Sequence, residues 1–208
     1  MRSRAKSVWV AVALGLSALF AAGSAEAKDW SVRAKGQVFW LDGSTWKPLV
    51  GARVYVMDSD TDWDDEIASG YTDSQGRFDL SGVGGDPKVP FICDDSCSKP
   101  DVYVKVELEN ARITIENEIG FNRYATTGVR DNTSGLIDFG GFGFAGDGAN
   151  AAILFGKATE QYANYSAKIG GNIPAHGGHM SFLYPSYLAA GVPWTTEESI
   201  HWPGGYNK

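Results

Sequence analysis

Six carboxylates crowd into the nine residues from Asp58 to Glu66, the densest group of potentially reactive side chains in the chain. Asp58, Asp60 and Asp62 stand at alternating positions, as the opening ligands of a calcium loop do, and Asp64 continues the alternation. Ca²⁺ takes about six to eight hard oxygen ligands, which carboxylates supply. We therefore name these four aspartates as an irregular candidate calcium site. The alternative is a solvated turn between two strands.

The three histidines all lie in the C-terminal part of the chain. His176 and His179 flank two glycines, and His201 follows later. Three imidazoles can bind zinc or copper, with Glu197 or Glu198 nearby as a base. The helical His-Glu-x-x-His arrangement is absent, and glycines do not hold ligands rigidly. The residues therefore indicate either a transition-metal site or surface histidines that titrate near neutral pH.

The two cysteines, Cys93 and Cys97, are separated by three residues. In an exported protein this spacing favours a disulfide that closes a small loop. The alternative is a thiolate metal site, but two sulfurs alone rarely form one.

Three tryptophans in the first third of the chain, Trp40, Trp46 and Trp63, are a candidate aromatic face for a peptide or a sugar. The alternative is packing in the core or at its rim, which is the more frequent role of tryptophan in sandwiches.

Residues 1–27 have the features of a secretory signal peptide. Arg2, Arg4 and Lys6 precede an apolar run over residues 8–22, and an Ala-Glu-Ala cleavage site occupies residues 25–27. An uncleaved anchor is the alternative, but the run is shorter than the about 20 residues that a span needs. No later segment is apolar enough to span a membrane, so we expect a secreted or periplasmic protein. The net charge of −7 makes nucleic acid an unfavourable partner.

Alternation of apolar and polar residues between positions 30 and 144 predicts an antiparallel two-sheet sandwich. Apolar residues or glycine recur at every second position over residues 32–40, 54–56 and 102–106, and again at Ile113, Ile115 and, less regularly, Ile119. A last strand is expected around Leu136, Ile137 and Phe139. Glycine, proline, asparagine and aspartate separate these runs, as turns require.

The chain changes character after Phe144. Five of the nine residues over 140–148 are glycine, which predicts a flexible connector. Residues 150–168 show helical spacing, which Gly156 interrupts only mildly. Asp147 or Asn150 is the expected N-cap of this helix, and Gly170 and Gly171 are expected to end it.

Short strands are expected over residues 180–184 and 198–202. With the preceding helix, they make the tail faintly similar to the start of a zincin-like metallopeptidase domain, without its zinc helix. We therefore divide the chain into a signal peptide (1–27), a β-sandwich domain (28–144) and a C-terminal α+β extension (145–208).

Three segments carry a family resemblance: residues 35–38, residues 48–54 and the turn at 72–78, followed by Pro90 and Cys93. They resemble the transthyretin-like sandwich, a superfamily that includes carboxypeptidase regulatory-like domains. The resemblance covers about half of the chain and implies a prealbumin-like fold. Its most specific part is the Thr-Asp-x-x-Gly-x-Phe turn, in which Asp73 accepts backbone N–H bonds and Gly76 takes a positive φ. These are folding roles, so the resemblance supports a fold better than a function.

Two enzyme classes with related sandwiches do not fit the sequence. Hydroxyisourate hydrolase needs histidines in the sandwich strands, and this chain has none before His176. Intradiol dioxygenases bind iron through a different histidine spacing from the one at His176 and His179.

The sequence therefore predicts a mainly β, exported, non-enzymatic binding or structural module that binds protein or peptide through a sheet edge or an aromatic rim. The sequence identifies no cofactor with certainty, and Ca²⁺ is the candidate. The alternative function is a metal-dependent enzyme, or a degenerate metallopeptidase-like protein, with its site at His176, His179 and His201.

Overall fold

The computed structural model describes residues 29–61, 63–85, 98–170, 180–185, 194–195 and 199–201. This part of the chain is mainly β and carries one long helix. The elements run in this order: β1 (Trp30–Asp42), β2 (Thr45–Pro48), β3 (Arg53–Asp58), β4 (Asp65–Tyr71), β5 (Arg77–Gly84), β6 (Val102–Glu107), β7 (Ile113–Glu116), β8 (Tyr124–Thr126), β9 (Gly135–Gly143), α1 (Asp147–Ile169), β10 (Met180–Leu183), β11 (Trp194–Thr195) and β12 (Ser199–His201).

Sheet A is built around the long strand β1. Its first part pairs antiparallel with β5, and its last four residues pair antiparallel with β2. On the opposite edge β1 pairs with β9, and this pairing is parallel. Sheet B contains β4, β3, β6 and β8 in that order, and all its neighbours are antiparallel. The predicted two-sheet sandwich is confirmed, with one parallel pair in sheet A.

The inward side chains of the two sheets form one core. Because successive side chains of a strand point to opposite faces, alternate positions of β1, β3 and β6 are buried. These side chains are at most 2% exposed: Val32, Ala34, Val38, Trp40, Val54, Val56, Val102, Val104 and Val106. Each buried valine contributes about 1.5–3 kcal/mol relative to an exposed one, so this alternation selects the register of both sheets.

The C-terminal extension packs on the same core. Ala151, Ala152 and Phe155 of α1 are fully buried, and Phe182 of β10 is nearly so. β10 pairs in parallel with β7 on one side and with β12 on the other, and β11 pairs antiparallel with β12. These four strands form sheet C, which joins the tail to β7, the strand that lies between β6 and β8 of sheet B in the chain.

The turn before β5 forms as its sequence predicts. Asp73 Oδ1 accepts hydrogen bonds from the backbone N–H groups of Gln75 (2.7 Å) and Arg77 (2.9 Å). Gly76 has a φ of 72°, a conformation that favours glycine. Phe78 then returns to the core at 3% exposure. The hydrogen bonds from Arg77 and Gln75 lower the pKa of Asp73.

Three expectations about local structure are wrong. Ile119 is 77% exposed, because the chain leaves β7 at Glu116 and turns around Asn117. Residues 140–143 are not a connector but the end of β9, since their backbone pairs with β1. The helix N-cap is Gly146 and no side chain caps it, whereas the helix ends at Gly170, as predicted, in a left-handed conformation.

Within the described residues, no helix has the length and hydrophobicity that a membrane span requires. The expected signal peptide and the expected Cys93–Cys97 disulfide lie outside the described residues, so both stay predictions.

Candidate functional site

An apolar groove lies on the outer face of sheet A. Val38 and Trp40 point inward, so Phe39, between them on β1, points outward. Trp46 of β2 pairs with Leu41, which is on the same outer face as Phe39. The Trp46 side chain is 58% exposed, although burial of its indole would be strongly favourable.

Glycines of β9 form the floor of the groove. Phe39 pairs with Gly143, and a Cβ atom on Gly143 would lie only 2.9 Å from the Trp46 ring. A Cβ atom on Gly141 would lie 3.1 Å from the Phe39 ring. The resulting open groove has a volume of about 390 Å³ and is lined by Phe39, Trp46, Gly141, Phe142 and Gly143. The absence of side chains on this part of β9 therefore creates the groove.

β9 is also an edge strand of sheet A. It pairs with β1, and no other strand of the described residues pairs with its second edge. Its pairing register with β1 shifts between Lys35 and Gln37, opposite Gly140, which has a φ of 68°. A bulge of this kind bends an edge strand locally. The groove therefore adjoins backbone that can accept a further strand.

Ion pairs lie farther along the outer face of sheet A, at a second cavity that shares Gly141 with the groove and includes Lys35, Asp79 and Asp138 in its lining. Lys35 Nζ lies 3.0 Å from Asp138 Oδ2, and Arg33 donates two hydrogen bonds to Asp79, at 2.7 and 2.6 Å. The pKa of Asp138 is lowered by the Gly140 N–H and then by Lys35, and the pKa of Asp79 is lowered by Arg33. Both carboxylates are therefore charged at neutral pH, and a polar cavity adjoins the apolar groove.

The structure corrects the predicted aromatic face. Trp40 is 2% exposed and belongs to the core, because it follows the inward alternation of β1. Its Nε1 donates a hydrogen bond to the Pro48 carbonyl oxygen at 3.2 Å. Trp63 is 86% exposed but does not line the groove. Of the three tryptophans, Trp46 alone is part of this site.

The acidic loop that follows β3 is described in part. Asp58 is 3% exposed, and its Oδ1 accepts a hydrogen bond from the Asp101 N–H at 2.7 Å. Burial raises the pKa of Asp58, and the charge of Asp60 adds to the effect. Asp64 Oδ2 accepts a hydrogen bond from the Tyr103 hydroxyl at 2.6 Å. Asp62 lies outside the described residues.

No three acidic, histidine or cysteine side chains of the described ranges are grouped as metal ligands would be. The calcium site therefore stays a prediction. So does the transition-metal site, because His176 and His179 lie outside the described residues, and for His201 the structure places only the backbone, in β12. Metal analysis of the purified protein and of a His176→Ala/His179→Ala variant tests both.

Sequence reasoning missed Phe39 as a site residue, although a signal for it was present. The alternation that predicts Trp40 inside also predicts Phe39 outside. The role of Gly141 and Gly143 was missed because a glycine-rich run without a periodic pattern is typical of a connector. Only the pairing of β9 with β1 brings these glycines under the aromatic rings.

Comparison with curated proteins finds a partial similarity. The chain is 37% identical over 101 residues to transthyretin-like protein 46 of Caenorhabditis elegans, a match covering 44% of this chain and 54% of that protein. The chain thus spans about half the length of this curated relative. The similarity supports the transthyretin-like resemblance, while the likeness of the tail to a zincin-like domain stays a prediction. No protein-family model matches the chain.

Among solved structures, a 9R-lipoxygenase from Cyanothece PCC8801 is 25% identical, with a TM-score of 0.37. That match covers 55% of this chain and 16% of the lipoxygenase. A TM-score this low supports no conclusion about fold or function.

Proposed function

We propose that this protein is an exported, non-enzymatic binding module that binds an extended segment of a protein or peptide at the groove and the adjoining edge of β9. One observation carries the proposal: the half-exposed Trp46 and the outward Phe39 lie over side-chain-free backbone at an edge strand. The similarity to a transthyretin-like protein supports the scaffold, and the binding mode rests on the groove alone.

Strand addition explains how the apolar groove and the adjoining edge of β9 would work together. An extended segment that pairs with the second edge of β9 gains main-chain hydrogen bonds, which supply affinity but little selectivity. Alternate side chains of the segment then point to the outer face of sheet A. One of them would enter the groove and contact the Trp46 and Phe39 rings.

The size and composition of the groove favour a single large apolar side chain. A volume of about 390 Å³ lies at the lower end of small binding pockets, which run from about 300 to 1,000 Å³. Tryptophan is one of the residues that most often dominate the energy of an interface. Glycine at positions 141 and 143 also lets another backbone approach closely.

The ion pair between Lys35 and Asp138 would fix the register of the bound segment. Lys35 and Asp138 neutralise one another at 3.0 Å, so a segment with a neutral polar residue next to its apolar anchor would be accommodated. A segment with two adjacent charges would leave one of them unpaired, which costs binding free energy.

A peptide-library screen against the leader-free protein tests the proposal. We expect selected peptides to share one large apolar residue in an extended sequence. Trp46→Ala should weaken their binding by at least about tenfold, measured by calorimetry, because each tenfold corresponds to about 1.4 kcal/mol. Trp63→Ala is the matched control, since Trp63 is more exposed and lies outside the groove. Equal losses in the two variants, or the absence of any selected peptide, would contradict the proposal.

A further inference from the structure

The outer face of sheet B differs in composition from the groove. Val54 and Val56 point into the core, so Arg53 and Tyr55 of β3 point outward. Arg53 pairs with Tyr71 of β4, and Tyr55 pairs with Lys105 of β6. With Tyr124 of β8, these side chains form what we name the cation–tyrosine face: Arg53, Tyr55, Tyr71, Lys105 and Tyr124.

Each cation of this face stands between two tyrosine rings. The Arg53 guanidinium carbon lies 5.2 Å from the centroid of the Tyr55 ring and 4.9 Å from that of Tyr71. Lys105 Nζ lies 5.5 Å from the Tyr55 ring centroid and 5.1 Å from that of Tyr124. Cation–π attraction at these distances holds both side chains in position before any ligand binds.

The two cations differ in their charge pairing. Lys105 Nζ lies 2.6 Å from Glu107 Oε1, so Lys105 has a carboxylate partner. Arg53 forms no ion pair with any described residue, and its guanidinium donates a hydrogen bond to Ser69 Oγ at 3.0 Å. Its Nε is the one buried side-chain nitrogen or oxygen of the described residues without a hydrogen-bond partner. This nitrogen is closed to solvent, so a ligand would contact the terminal nitrogens of the guanidinium instead.

The face is wide and accessible. Tyr71 and Tyr124 are 50% and 57% exposed, and they lie on the two edge strands of sheet B. Three strand spacings separate these edges, so the rings are about 14 Å apart along the sheet. A platform of this width, with hydroxyls from three tyrosines and from Ser69, suits a polymer of hydroxylated units better than a small molecule.

We propose that the cation–tyrosine face binds a polysaccharide that carries carboxylate groups, with Arg53 as the anchor for one of them. The terminal nitrogens of a guanidinium can bind a carboxylate through two parallel hydrogen bonds. Lys105, one strand away, is already paired with Glu107, so the ligand carboxylate is assigned to Arg53 alone. The tyrosine hydroxyls hydrogen-bond to sugar hydroxyls.

A carboxylated glycan fits this face better than an acidic peptide does. An extended peptide gains most of its affinity from main-chain pairing at a sheet edge, and the middle of a sheet face offers no unpaired backbone. Aromatic and hydroxyl side chains instead contact rings and hydroxyls directly. The whole chain carries a net charge of −7, so the electrostatic attraction rests on Arg53. Binding should therefore weaken with added salt.

Calorimetry with polygalacturonate at low salt tests the proposal on the leader-free protein. We expect measurable binding that Arg53→Gln weakens by at least about tenfold, since charge-assisted hydrogen bonds are roughly twice as strong as neutral ones. Methyl-esterified polygalacturonate lacks the carboxylate charge. It should bind to the wild type as weakly as polygalacturonate binds to Arg53→Gln. Arg33→Gln is the matched control, because Arg33 is an exposed arginine paired with Asp79 on sheet A.

Three results would overturn the proposal. They are no binding of polygalacturonate by the wild type, undiminished binding of the esterified polymer, or an equal loss in Arg33→Gln. If poly-glutamate binds as tightly as polygalacturonate or more tightly, the ligand of this face is an acidic peptide and not a glycan. If Arg53→Gln unfolds in thermal melts, Tyr124→Ala provides the same readout, because its side chain is half exposed. Trp46→Ala should leave polygalacturonate binding unchanged, so the outcome is independent of the groove.

Discussion

Trp40 and Trp46 lie six residues apart in the sequence, and each places its ring on a glycine. A Cβ atom on Gly156 would lie 2.4 Å from the Trp40 ring, and one on Gly143 would lie 2.9 Å from the Trp46 ring. The first contact joins sheet A to α1 and is buried. The second is on the outer face of sheet A and is open to solvent. The same local arrangement thus serves the core in one place and forms a groove in the other.

The difference shows that the packing partner decides the role of each indole. Helix α1 covers Trp40, and the burial of that ring stabilises the attachment of the C-terminal extension. No described element covers Trp46, so its apolar surface is available for a ligand. Disturbing the contact of Trp40 with Gly156 should change the stability of the protein. Disturbing the contact of Trp46 with Gly143 should change peptide binding.

The largest expected effect comes from truncating the two rings. Trp40→Ala should lower the free energy of unfolding by about 3–5 kcal/mol, because it removes a large buried side chain and leaves a cavity. Trp46→Ala should change it by less than about 0.5 kcal/mol, as surface substitutions usually do. Urea denaturation followed by circular dichroism measures both values. Similar losses in the two variants would mean that the two contacts do not differ as described.

Enlarging the two glycines should give a smaller effect. Gly156→Ala should destabilise the protein by about 1–3 kcal/mol, because the buried Trp40 ring cannot move away from the new methyl group. Gly143→Ala should destabilise the protein less than Gly156→Ala does, because the exposed Trp46 ring can swing outward and the Phe39 carbonyl oxygen, 3.0 Å from the new methyl group, needs only a small shift. It should still narrow the groove and weaken peptide binding. Thermal melts and peptide titrations of both variants separate the two outcomes. A stable Gly156→Ala protein would show that α1 does not pack on Trp40.

The smallest expected change in stability comes from the ion pairs between the β1–β2 hairpin and α1. Lys47 Nζ contacts Asp42 Oδ2 at 2.9 Å and Glu160 Oε1 at 3.0 Å, and Lys157 contacts Asp42 at 2.9 Å. This network joins the β1–β2 hairpin to α1. Lys47→Gln should lower Tm slightly at neutral pH and low salt, and the deficit should shrink in high salt because exposed ion pairs are screened.

The same network predicts a pH dependence. Hydrogen bonds from Lys47 and Lys157 lower the pKa of Asp42. A carboxyl group with a lowered pKa in the folded state stabilises the fold above its unfolded pKa of about 3.9. That contribution is lost as the pH falls through the folded value. The difference in Tm between Lys47→Gln and the wild type should therefore vanish in acid, and a difference that persists there would exclude this origin.

Residue patterns alone predicted much of the fold and little of the site. The alternation in β1, β3 and β6 and the Asp73–Gly76 turn are local, so they are readable without knowing what lies opposite. The pairing of β9 with β1 joins residues about a hundred positions apart, and no local pattern specifies it. The groove and the cation–tyrosine face both depend on such distant pairings.

The sequence by itself determined which side chains point inward, because the two-residue period of a strand and the burial of apolar surface act at short range. It also determined the tight turn before β5, since Asp73 and Gly76 satisfy the backbone within five residues. Only the tertiary structure decided that α1 covers Trp40 but leaves Trp46 exposed, and that Arg53 lies between two tyrosines without an ion pair to any described residue. These outcomes depend on which strands become neighbours, and that choice is made by the packing of the whole core.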